Sequence, residues 1–215
     1  EDIVLGGVEA SGGGISLETQ LGDIIDGGDE HTDLSADRLL IVAGNDIGGS
    51  GALDTDVGTV SAVSGGGDIR LSESGDIIVD QVVVAINRVS GDGTSDSVAT
   101  NNRDIRTEGA GTVEIDAGGA VMIAEDATDA TGILTGGGDI TIDARTATFD
   151  AGITSESGTI RLTTQEGVEL GAAGDLQTGS AGEVSIIVVA GTVVMSDGAT
   201  VQTDAGTIAI DASGD

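Results

Sequence analysis

Apolar residues recur along the chain in short alternating runs, each entered through glycine. The pattern of glycine, any residue, apolar, any residue, apolar picks out Ile69/Leu71, Val113/Ile115, Ile140/Ile142, Ile160/Leu162, Val184/Ile186 and Ile208/Ile210, and Ile15/Leu17 after Gly12-Gly13-Gly14 reads as an earlier copy. The last intervals are 27, 20, 24 and 24 residues, and the 44 between Ile69 and Val113 reads as nearly two of them. Strict alternation is the period of a strand with one buried face. Within one interval it returns three times, as "GEVSIIVVA", "GTVVMSDGA" and "TVQTDA". Three short strands and three corners in about 24 residues predict one coil of a parallel β-solenoid, whose coils bury their apolar faces only against one another. At the strand spacing, about nine such coils make a rod on the order of 40 Å long. Ile140, Ile160, Val184 and Ile208 are expected in one interior column and Ile142, Leu162, Ile186 and Ile210 in the next, with Arg70, Thr141, Arg161 and Ser185 facing outward.

Composition supports strands over helices. The 38 glycines are spread throughout, and each costs up to about 1 kcal/mol inside a helix. There is no Pro, Cys, Trp, Tyr or Lys, and Phe149 is the single aromatic residue. The core must therefore come from Val, Ile, Leu and Ala, which suit narrow spaces between stacked strands. A β-sandwich also gives short, evenly spaced strands, but its strands have no reason to resemble one another at the coil interval. Glycine, Asp, Ser and Asn fill the corners, where turns need positive φ or a side chain bonded to its own backbone. The whole chain, 1–215, reads as one solenoid segment with insertions near 26–37, 87–104 and 124–131.

Thirty-eight acidic residues against seven arginines give a formal charge of −31. Nucleic acid is excluded as a partner, because phosphate binding needs clustered cations. Disorder is the other reading of high charge, yet 38% of residues are hydrophobic and recur at fixed places. No apolar run reaches the roughly 18 residues of a spanning helix. The chain opens Glu1-Asp2-Ile3 without Met, which reads as a piece of something longer.

The glycine-aspartate entries, Gly67-Asp68 and Gly138-Asp139, are either metal ligands or turns. They look like the calcium-binding solenoid repeat Gly-Gly-x-Gly-x-Asp, but the aspartate is misplaced and two copies 71 residues apart build no array. A corner whose aspartate caps the turn is the favoured reading. Calcium has better candidates in Asp26, Asp29 and Glu30 and in Asp92 and Asp96 around Thr94, where hard oxygens share one loop. His31 stands alone in "DEHTD", with neither companion ligands nor a nucleophile.

The segment Ala43 to Ser74 resembles a repeat of filamentous-haemagglutinin-like exoproteins and giant bacterial surface adhesins. Asn45-Asp46-Ile47-Gly48, Leu53-Asp54-Thr55, Val57-Gly58-Thr59 and Gly67-Asp68-Ile69 match it in order, with Ala52 where relatives commonly have proline. The resemblance implies a right-handed parallel β-helix in the shaft of an extracellular or surface-anchored protein. On that reading the chain is a non-catalytic structural or adhesive rod that requires no cofactor, and it contacts neighbouring repeats and cell-surface glycans or proteins. Two alternatives stand beside it. One is a subunit that stacks end to end into a filament, since no polar cap is visible at either end and an open stack gives an unlimited polymer. The other is a polysaccharide-cleaving β-helix enzyme, which needs a cationic base or paired carboxylates. Against the enzyme, Arg38, Arg70, Arg88, Arg103, Arg106, Arg145 and Arg161 are widely spread.

Overall fold

A computed structural model of the chain describes residues 1–28, 31–89, 95–125 and 130–213. Among them are strands and turns but no helix. The chain winds into eight coils and begins a ninth rung. Coil 1 holds β1 (Ile3–Leu5) and β2 (Val8–Glu18), coil 2 holds β3 (Ile24–Asp26) and β4 (Leu34–Ala43), and coil 3 holds β5 (Ile47–Gly48) and β6 (Leu53–Ser64). Coil 4 contains β7 (Ile69–Glu73), β8 (Ile77–Val79), an inserted pair β9 (Val82–Val89) and β10 (Ser95–Asn102), and then β11 (Ile105–Thr107). Coil 5 is β12 (Val113–Ala117), β13 (Ala120–Ile123) and β14 (Thr131–Thr135), and coil 6 is β15 (Ile140–Phe149) and β16 (Gly152–Ser155). Coil 7 is β17 (Ile160–Leu170) and β18 (Leu176–Thr178), coil 8 is β19 (Val184–Val188), β20 (Thr192–Met195) and β21 (Val201–Thr203), and β22 (Ile208–Ala212) opens the next rung.

Parallel pairing in register stacks like positions above like. On the first side the interior column runs Ile3, Ile24, Ile47, Ile69, Val113, Ile140, Ile160, Val184 and Ile208. On the second side it runs Ile15, Leu39, Val60, Val79, Ile123, Phe149, Leu170 and Met195. The third side stacks Leu17, Ile41, Ala62, Ile105, Ile133, Ile153, Leu176 and Val201. Only Val and Ile fill the first column, β-branched side chains that suit the space between stacked strands. The three columns meet in one apolar core along the axis.

Two expectations from spacing need correction. Ile15/Leu17 is not an early copy of the first side; Ile15 lies on the second and Leu17 on the third, and Ile3 holds the place assigned to it. The 44 residues from Ile69 to Val113 are one coil and an insertion rather than two coils, because Ile69 pairs directly with Val113. That insertion begins at Val82, five residues before Asn87, and is an antiparallel hairpin with unbroken register from Val82↔Asn102 to Val89↔Ser95. It lies on the outside of the solenoid, with Val82 and Val84 buried on Leu40. The expected insertion at 26–37 overlaps β4 from Leu34 onward, and the one at 124–131 includes residues 126–129, which lie outside the described residues.

Candidate functional site

The corner between the third side and the next coil concentrates the polar chemistry of the molecule. Its first component is a column of hydroxyls pointing inward, Ser64, Thr107, Thr135, Ser155 and Thr178, each 0–2% exposed. An interior hydroxyl must find a partner, and here it finds the corner backbone. Ser64 Oγ shares its single proton between the carbonyls of Gly67 (2.8 Å) and Asn45 (2.6 Å) and accepts the Gly67 N–H (2.8 Å). Thr107, Thr135 and Thr178 donate to the carbonyls of Gly111, Gly138 and Gly182 at 3.0, 2.7 and 2.9 Å. Ser155 Oγ donates to Gly138 O (2.9 Å) and accepts from Gly158 N (2.8 Å).

The second component is a column of glycines, Gly67, Gly111, Gly138, Gly158, Gly182 and Gly206. A Cβ on Gly111 would collide with the carbonyl oxygen of Gly67, and the same holds for each later glycine over the one before it. None of the six has a positive φ. These corners need glycine for close approach between coils, not for the left-handed conformation expected of turns.

The aspartate just before the first side, preceded by glycine at Asp23, Asp68 and Asp139, is the third component. Asp2 Oδ1 accepts the N–H of Asp23 (3.0 Å), Asp23 that of Asp46 (3.0 Å), Asp46 that of Asp68 (2.8 Å) and Asp68 that of Thr112 (2.8 Å). Asp139 does the same for Thr159 (2.7 Å). The corner after the first side repeats the device once, with Asp76 accepting from Ala120 N (2.7 Å). Each carboxylate thus ties one coil to the next. At Asp68 burial works to raise the carboxyl pKa, but the bonds from Thr112 and the charge and bond of Arg70 outweigh it and hold the group below its ordinary value. Arg70 also donates to Gly49 O and lies 3.5 Å from Glu114, so it bridges coils 3, 4 and 5.

Glu73 is the carboxylate that sequence reasoning missed. It is 3% exposed and stacks between Thr55 and Ala117. Its oxygens accept from Thr55 Oγ1, Val57 N and Gly75 N, each at 2.9 Å. Burial is the larger influence and pushes its carboxyl up despite those three bonds.

Of the calcium candidates, only Asp26 and Asp96 fall among the described residues. Asp26 ends β3, and its carboxylate accepts the N–H of Gly28 at 2.8 Å, a local turn. Asp29, Glu30 and Asp92 lie outside the described residues. Asp96 sits in β10 opposite Arg88, on a different element from Asp26. His31 is exposed at the surface. Among the described residues no three His, Cys, Asp or Glu side chains converge on one point.

A shallow groove of about 420 Å³ runs over coils 5 to 7, lined by Asp116, Asp143, Arg145, Thr163, Gln165 and Glu166. Asp116 and Asp143 are register neighbours on adjacent rungs. Asp116 is exposed and Asp143 half-exposed at the surface. The one cation in the groove, Arg145, bonds Glu166 at 2.8 Å.

No family model, curated protein or solved structure matches the chain.

Proposed function

We propose that the chain is a non-catalytic rod segment of a large secreted or cell-surface protein of the bacterial adhesin kind, which holds what it carries at a distance and resists extension along its length. The observation that carries this reading is the first interior column, nine rungs of Ile and Val without a break. Such a column supports length and stiffness, because every coil is held by the coil on each side. The aspartates support it too: their oxygens are engaged coil to coil by backbone N–H groups. Neighbouring repeats and cell-surface glycans or proteins are the partners of such a segment.

The test is extension of the chain tethered by its two ends in a single-molecule force instrument. A rod of stacked coils holds its length under load and then lengthens in steps that match whole coils. Smooth lengthening at the lowest loads would overturn the reading. Release of fragments from acidic polysaccharides by the purified chain would overturn its non-catalytic part.

A further inference from the structure

We propose that the hairpin β9–β10 is a strap that ties coils 1 to 4 into one cooperative block, leaving coils 5 to 8 to open separately. In a solenoid each coil touches only the coils above and below it, so openings are local and set by nearest neighbours. The hairpin departs from that arrangement. It leaves the stack in coil 4, between β8 and β11, and runs back over the outer surface of earlier coils. Val82 and Val84 are buried against Leu40 of coil 2, with Val42 packed beside them. Thr100, on the returning strand, places its hydroxyl 3.3 Å from that of Ser16 in coil 1.

The strands beneath are built to receive it. Gly14 leaves the space that Val84 uses: a Cβ there would lie 3.1 Å from Val84 Cγ2. The outward column of the third side reads Glu18, Val42, Val63, Arg106, Leu134, Thr154, Gln177 and Gln202 from coil 1 to coil 8. Of these, Val42 in coil 2 packs on the hairpin's buried valines. An isolated two-stranded hairpin is marginal in water, so hairpin and coils stabilise each other. Opening coil 1 or 2 must first release a hairpin anchored in coil 4, and that requirement couples the coils.

Native-state hydrogen exchange followed by mass spectrometry tests this on the whole chain. Val84→Asp places a charge under the hairpin without touching the interior columns. The amides of β2, β4 and β6 are expected to exchange roughly tenfold faster, the ratio that loss of one buried valine produces, with β17 and β19 unchanged. The complementary variant pairs Gly14→Cys with Val84→Cys. The chain has no other cysteine, and a sulfur at the Val84 Cγ2 position stands at bonding geometry from a Cβ at 14. Oxidising that pair should slow exchange in β2, β4 and β6, and a reductant should restore it. Should Val84→Asp fail to fold, the oxidised and reduced forms of the cysteine pair decide the question. Equal exchange of coils 1 to 3 in both forms would overturn the strap, as would a change spread evenly through coils 5 to 8.

Discussion

At the scale of single residues, the corner hydroxyls and Glu73 make separable contributions. Ser155→Ala removes the acceptor for Gly158 N at a site with no exposed surface, while Gly138 O keeps its bond from Thr135. Leaving such groups unsatisfied costs about 1–3 kcal/mol, to be read as a lower midpoint in urea with an unchanged slope. A midpoint equal to that of the parent would show that the glycine column holds the corner unaided. Glu73 contributes a pH dependence whose sign follows from its raised pKa. The folded chain holds that proton more tightly than the unfolded chain does. Stability from this group is therefore fully present below the ordinary glutamate value and is lost as pH rises through the shifted one. Glu73→Gln should gain on the parent in thermal midpoint as pH rises above the ordinary glutamate value. A constant difference across that rise would mean the three hydrogen bonds offset the burial.

At the scale of the element, the run Gly65-Gly66-Gly67 separates two roles that look identical in the sequence. A Cβ on Gly66 meets nothing within 4 Å, whereas one on Gly67 strikes Asp46 and the backbone of Asn45. Gly66→Ala is expected to leave stability within about 0.5 kcal/mol. Gly67→Ala should cost roughly 3 kcal/mol, as overpacking forces coils 3 and 4 apart. Guanidinium titrations of the two variants compare them directly, and equal midpoints would refute close stacking as the reason for the glycine column. The hydroxyl that secures each corner has a signal that was readable in advance. A Ser or Thr stands three or four residues before the last glycine in Ser64/Gly67, Thr107/Gly111, Thr135/Gly138, Ser155/Gly158 and Thr178/Gly182. Its burial was not readable, because the apolar alternation places that residue inside only once the strand's facing is known.

At the scale of the whole molecule, a formal charge of −31 on a narrow rod opposes its own compaction. Added sodium chloride should raise the thermal midpoint by screening that repulsion. Calcium at matched ionic strength should raise it no further, since the described aspartates at the corners are occupied by backbone N–H groups. An extra rise with calcium, reversed by chelator, would show an ion bound specifically. The alternation and the 24-residue interval by themselves determined that the chain is a parallel solenoid and that Ile69, Val113, Ile140, Ile160, Val184 and Ile208 share one interior column. Side-chain period and repeat length are local quantities, and they survive in the text. Two kinds of fact were decided only by the tertiary structure. The 44-residue interval could be divided only by the pairing of Ile69 with Val113, which no spacing specifies. The part played by each polar residue depends on the coil below it: Asp68 meets Thr112 N–H across 44 positions, and Val84 meets Gly14 across 70. Contacts between rungs join residues that are distant in the chain, and the physical cause of each corner residue lies on the neighbouring rung.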